Sequence, residues 1–274
     1  MPKPYCIEEM TWEEVESFLE NETIAIVPTG SSEQHGPHLP IGTDFMVSDK
    51  LAKEVGRRTE VLVSPTLPVG YAEYHTDFPG TLSLSAETLT DVYKEVCLNL
   101  IDYGVTHIVF VNSHGGNMAT LNKVGNFLRK KNVPTAAVQW WDIAGGLKDE
   151  WKLVAHGGFI ETSMVLAVEE DLVDMDKAEK TEPKKISDEI DLEGIVTCRY
   201  KKGLYHLALR TKDYTDTGYM VEYHMSPDAD HDIPPTEAST ELGEEIMEAV
   251  ADNIADFVEE FKQVELEPVE NKAG

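Results

Sequence analysis

The sequence predicts an α/β fold in which helices cover both faces of a mostly parallel sheet. Three observations point there. Four short β-branched runs alternate with helical patterns of about 10–20 residues. Three of those runs are apolar along their whole length, which fits strands buried on both faces. The side chains with most chemical capacity, Glu33, His35 and His114, fall just past the ends of such runs. In open parallel sheets, sites lie at the carboxyl ends of the strands.

Each element has its own signal. Thr11 with Glu14 reads as a capping box opening a helix, TWEEVESFLEN. TIAIVPTG, 23–30, is the first buried strand. Residues 44–58 are helical, with Met46, Leu51 and Val55 broadly on one face. VLVSPTLPVG, 61–70, reads as a second strand and loop. Ser85 caps a helix through Tyr103, with Leu89, Val92, Val96 and Leu100 at 3–4 spacing, and Gly104 stops it. VTHIVFVN, 105–112, is the third strand, 118–131 a helix, and PTAAVQWW, 134–141, the fourth strand, ending in Trp140 and Trp141. A short helix is expected after Glu161, then an acidic exposed segment over 169–193 with 11 acids and 4 bases. Residues 194–225 look β-like, and a final helix spans about 235–262, with Leu242, Ile246, Val250, Ile254 and Phe257 on its docking face. No repeat or linker interrupts the chain, so 1–274 reads as one domain.

Acids outnumber bases 51 to 23 among the 274 residues, a net charge of −28. That charge repels nucleic acid and anionic membrane, so neither is expected as a partner. No signal peptide or membrane-spanning stretch is visible, and a cytoplasmic location is the expectation. The excess is uneven: residues 1–137 carry a net −8 and residues 138–274 a net −20. Two readings account for it, a surface adapted to high intracellular salt or a merely acidic cytosolic protein. Cys6, Cys97 and Cys198 are odd in number and far apart, which argues against a disulfide framework or a zinc–thiolate site. Cys97 is expected in the core.

Three loops concentrate metal-ligand types. GSSEQHGPHLPIGTD, 30–44, carries Glu33, His35 and Asp44, with glycines and prolines that shape a loop able to bring them to one point. Asp44 also suits the start of the helix that it opens. VNSHGGNMATL, 111–121, delivers His114 from a strand end into a Gly-Gly turn. AHGGFIETSMVLAV, 155–168, places His156 and Glu161 around another Gly-Gly. Any one of these histidines alone reads more simply as a loop or cap residue. Three loops each bringing His or acid past an apolar run favour a metal site, and carboxylate with imidazole suits Zn, Mn or Fe(II) better than Mg or Ca. The phosphate-loop pattern GxxxxGK[ST] and the GxSxG nucleophile elbow are absent.

Taken in order, EQHGPHLPIGTD, EYHTDFPGTLSL, NSHGGN and HGGFIETS resemble the creatininase (creatinine amidohydrolase) family over roughly residues 5–170. The resemblance implies a three-layer α/β/α sandwich with two divalent metal ions (Zn, Mn or Fe) at the sheet's carboxyl edge. It implies Glu33 and His114 as ligands of one ion, His35 of the other and Asp44 as the bridge. Where creatininase itself has an acid two residues after the strand-three histidine, this chain has Gly116. That resembles the HGGN branch of the family, in which Glu161 completes the second ion, and it argues against creatinine as substrate. His156 resembles the histidine that moves the proton, so His156 and Glu161 are the catalytic candidates. His38, three residues after His35, is expected behind the ligands or against substrate, and His75 and Trp141 beside the substrate. His107 reads as a strand residue, and the 228–232 run DADHD as a solvated acidic loop.

The expected activity is hydrolysis of a C–N bond in a small cyclic amide or formamide by a metal-activated water. Two rivals stand beside it: hydrolysis of a carbon–carbon bond in a cyclic diketone such as an oxidised inositol, and a non-catalytic, metal-stabilised subunit. The expected partners are a small-molecule substrate and further copies of the chain, since the resemblance implies a homo-oligomer, often a hexamer. The pocket wall over about 194–235 departs from the family's usual C-terminal pattern.

Overall fold

Four parallel strands form the centre of the molecule in the order β2–β1–β3–β4, in a computed structural model that describes residues 5–223, 227–230 and 233–269. These strands are β1 (Ile24–Thr29), β2 (Leu62–Val63), β3 (His107–Asn112) and β4 (Thr135–Gln139). β1 and β3 pair along their full length, from Ile24 with His107 to Thr29 with Asn112. Both strands therefore end at the same edge, and the loops after them start side by side.

Alternation along the strands sorts the core into two layers. Ile24, Ile26, Val109 and Val111 face one apolar cluster, and Ala25, Val27, Ile108 and Phe110 face the other. The first cluster is completed by α2 (Thr43–Thr59), α5 (Trp140–Leu147), α6 (Phe159–Glu169) and α8 (Thr240–Phe261). The second is closed by α3 (Ala86–Asp102) and α4 (Met118–Arg129). This is the three-layer α/β/α sandwich with a mostly parallel sheet. α1 (Trp12–Leu19) begins at the expected capping box: Thr11 N–H donates to Glu14 Oε2 at 2.7 Å, and Glu14 N–H to Thr11 Oγ1 at 3.3 Å.

Several expectations are corrected. The strand and loop expected over 61–70 are present, with the strand only two residues long because Pro65 and Pro68 remove ladder donors just beyond it. Strand four stops at Gln139; Trp140 and Trp141 open α5 instead of ending β4. The Trp pair prolongs the strand's apolar run, and Gly145–Gly146 masks the helical pattern. The buried stripe of α3 is Leu89, Tyr93, Cys97 and Leu100, while Val96 is exposed. On α8, Val258 and Phe261 are buried, and Phe257 is exposed. α6 starts before Glu161 and contains it.

The β-like region resolves into two small units. β5 (Ala155–His156) pairs antiparallel with β9 (Met220–Val221). β6 (Ile190–Leu192), β7 (Thr197–Tyr200) and β8 (Gly203–His206) form an antiparallel sheet that begins inside the segment expected to be an acidic loop. A short helix, α7 (Thr211–Tyr214), follows where strand was expected to continue. His224, His231 and the end of the 228–232 run lie outside the described residues. Among the described residues, no helix is long and apolar enough to cross a membrane.

Candidate metal centre

The site is built where the paired strands end. The loop after β1 carries Glu33 and His35 and returns through Gly42 into α2, whose first turn holds Asp44. The loop after β3 delivers His114 to the same edge. α6 supplies Glu161 from its first turn, and β5 presents His156. All six side chains are buried. Two groups of ligand atoms, each within 4.8 Å of one another, share one member: Glu33, Asp44 and His114 form one, and His35, Asp44 and Glu161 the other. Glu33, His35 and His156 form a third such group.

In the neutral rings, the form that binds a metal, hydrogen bonds to backbone carbonyls fix the histidine tautomers. A carbonyl only accepts, so each ring nitrogen facing one carries the proton. His114 Nε2 donates to Tyr71 O at 2.7 Å, leaving Nδ1 as a bare lone pair 3.1 Å from Glu33 Oε2 and 3.3 Å from Asp44 Oδ2. His35 Nδ1 donates to Glu33 O at 3.2 Å, leaving Nε2 3.0 Å from Asp44 Oδ1 and 3.9 Å from Glu161 Oε2. Lone pairs thus face carboxylate oxygens. Glu33 Oε2 and Asp44 Oδ2 are buried without a partner in hydrogen-bond geometry. A cation between them satisfies every one of these atoms, so the residues fit a divalent ion.

The electrostatics agree. Burial opposes a charged His35, yet Asp44, Glu161 and Glu33 hold its pKa up to about 10. Burial opposes a charged His114 too, and Glu33 and Asp44 raise its pKa well above the usual range. Burial would raise Glu33 and Asp44, but the facing imidazoles hold both below the usual carboxylate range. The cluster draws in positive charge, as protons where no metal is bound. Burial pushes Glu161 up to about 7, against the pull of His35. One of its oxygens, Oε2, accepts the Gly157 N–H at 2.7 Å.

His156 differs. Its Nε2 donates to Gln34 O at 2.6 Å, which leaves Nδ1 as the lone pair, 4.0 Å from Glu33 Oε1. Burial, with His35 stacked on it at 4.0 Å, holds its pKa well below the usual value. His75 lies at the cavity wall beside the acid cluster: its Nε2 is 3.3 Å from Glu33 Oε1, while Nδ1 lies near Gln34 Nε2 and Thr211 Oγ1. His38 is not at the cavity. Its Nε2 meets Thr162 Oγ1 at 2.9 Å on α6, so the expected substrate contact is corrected to a contact between two elements. Trp141 lines the cavity, and Trp140 beside it is core. His107 is a strand residue, bonded to Val264 O.

The six clustered side chains, with His75 and Trp141, line a cavity of ≈ 480 Å³, within the range that encloses small molecules. Sequence reasoning named the 194–235 segment as pocket wall without singling out Ile195, Val196 or Glu222, and it missed Tyr74, Ser113 and Gln139. Tyr74 and Ser113 adjoin motif histidines, a signal that was available. Ile195, Val196 and Glu222 reach the wall by tertiary packing alone. Gln34 was also missed. Its Oε1 accepts Gly36 N–H, and its amide points at Gly218 O, His75 and His156.

A family model described as creatininase, creatinine amidohydrolase, matches residues 8–258. The chain belongs to the creatininase family. A creatinine amidohydrolase of Pseudomonas putida is 30% identical over 199 residues, 65% of this chain and 76% of that protein. A mycofactocin precursor peptide peptidase of Mycobacterium tuberculosis is 35% identical over 52% of this chain and 57% of its own length. A 3-dehydro-scyllo-inosose hydrolase of Thermotoga maritima is 26% identical over 67% of this chain and 62% of its own. Among solved structures, one described as creatininase Mn superposes with a TM-score of 0.75 at 26% identity, covering 94% of this chain and 99% of that one. The motif loops fall inside the matched span, and this creatininase-family hydrolase places them at one sheet edge.

Proposed function

We propose that the chain is a divalent-metal-dependent hydrolase that cleaves a C–N bond in a small cyclic amide or formamide. Glu33, His114 and Asp44 hold one ion; His35, Asp44 and Glu161 hold the other. The observation that carries this reading is Asp44, whose two oxygens each face the lone-pair nitrogen of a different histidine. Bound there, two divalent ions supply an acidified water and polarise a carbonyl.

The chain's own residues support the remaining steps. His75 engages Glu33 Oε1 and leaves Oε2 for metal. His156 stays neutral, with its proton fixed on Nε2, so Nδ1 serves first as the base that takes a proton from the attacking water. That proton then goes from Nδ1 to the leaving nitrogen. Trp141 offers a flat apolar wall to a ring. Metal analysis and a substrate panel test the reading. Purified protein is expected to carry up to two Zn, Mn or Fe ions per chain and to turn over lactams or formamides. Full activity after complete metal removal sinks it.

Gly116, standing where creatininase itself has an acid, and the relative named as an inosose hydrolase favour a second reading, hydrolysis of a carbon–carbon bond in a cyclic diketone. Cyclic diketones in the same panel decide between them. Metal-loaded protein inert to every class would favour the non-catalytic subunit.

A further inference from the structure

Seven described residues bury a side-chain polar atom without a partner: Ser31, Glu33, His38, Asp44, Tyr93, Ser113 and Thr120. Only Glu33, Asp44 and Ser113 of these line the cavity. The first two are the carboxylates that face the histidine lone pairs. Ser113 is the third, and nothing in the metal-centre reading uses it. It follows Val109 and Val111 in strand alternation, so its hydroxyl stands where that face otherwise carries aliphatic side chains. Ser113 is 4% exposed and also borders a small void beside Asp44, Glu161 and Trp140. Its neighbours in the chain direct these groups elsewhere: Asn112 bonds Thr29 and His114 O, His114 Nε2 donates to Tyr71 O, and Asn117 bonds Gly30 O and Tyr71 N–H. A buried hydroxyl left unpaired is destabilising, so its partner is expected to arrive with what the cavity binds.

We infer that Ser113 Oγ donates a hydrogen bond to the reacting water in the cavity, an inference that rests on the metal-centre reading. The hydroxyl orients a lone pair of that water and stabilises negative charge as it develops on the oxygen.

The test is thermal unfolding of the wild type, Ser113→Ala and Ser113→Thr, each metal-free and each with saturating Zn²⁺. Metal-free Ser113→Ala should melt at or above the wild type, because it removes an unpaired hydroxyl. Its Zn²⁺-induced rise should be smaller than the wild type's by about 2–5 °C. Ser113→Thr keeps the hydroxyl, and the ≈ 480 Å³ cavity that the residue lines leaves space for the extra methyl, so its rise should approach the wild type's. Equal rises in wild type and Ser113→Ala overturn the inference, as does a Ser113→Thr rise as small as that of Ser113→Ala. A wild type whose melting ignores Zn²⁺ removes the metal centre itself, a different result from equal rises.

Discussion

His35 Nε2 lies 3.0 Å from Asp44 Oδ1 while the other nitrogen of the same ring is already committed to a backbone carbonyl. Asp44 repeats this relation on its other oxygen with His114. One carboxylate therefore belongs to both halves of the centre. Asp44→Asn should abolish binding of both ions, whereas Glu161→Gln should weaken only the one shared with His35. Metal content per chain, measured after gel filtration, separates the two. Equal losses from both variants would show that the halves are not built as described.

Metal and proton compete for the same imidazoles. The pKa of His35 is raised to about 10 and that of His114 also lies above the usual value, so both carry protons at neutral pH when no metal is bound. Zn²⁺ binding should then release protons at pH 7, and affinity should fall as pH is lowered. Calorimetric titration in buffers of different ionisation enthalpy reads the release directly. A heat independent of the buffer would contradict it.

The same shift sets a stability window for the metal-free protein. A histidine whose folded pKa is raised stabilises the fold fully below its unfolded value, about 6.5. That contribution is lost as pH rises through about 10. Metal-free protein should accordingly lose melting temperature between pH 7 and 10 by more than the metal-loaded protein does. Parallel curves for the two forms would mean that His35 is not held protonated by Asp44.

How far the sequence foretold this centre depended on what each residue answers to. β1 and β3 are buried on both faces, so composition alone marks them, and the loops at their ends were legible as well. α5 was not, because Trp140 and Trp141 satisfy a strand pattern and a helix pattern equally. The 194–235 segment was expected at the pocket wall, but which of its residues face the cavity, Ile195, Val196 and Glu222 among them, is set by contacts between segments distant in sequence. Gln34 stands between Glu33 and His35 in the richest motif, yet its use of both faces of its amide is a property of three other loops.

Gly157 carries a strict backbone requirement. Its φ is +70°, and a Cβ there would lie 2.7 Å from His35 O. Its N–H also holds Glu161 Oε2. Gly157→Ala should cost about 1–3 kcal/mol of stability. It should also weaken the ion shared by His35 and Glu161 more than the one at Glu33 and His114. Metal titration of the variant, with unfolding in denaturant alongside, checks both. Normal loading at both positions would mean that this turn does not set the Glu161 carboxylate.

The surface charge makes a separate claim. Acids exceed bases by 28, and most of that excess lies after residue 137, away from the loops that build Glu33, Asp44 and His114 into the site. Some acids are gathered by single cations, as Arg58 gathers Glu54, Glu248 and Asp252. Salt weakens such pairs, but exposed ones contribute only about 0–1 kcal/mol each. Repulsion among the surplus carboxylates acts over a screening length of about 10 Å at 0.1 M salt, falling to about 3 Å at 1 M. Screening should therefore relieve more repulsion than it loses attraction, and melting temperature should rise between 0.1 and 2 M KCl. KCl is preferable to a sulfate salt, which strengthens apolar burial in any protein. A melting temperature that stays flat or falls with KCl would identify the acidity as ordinary surface charge with no adaptation to salt.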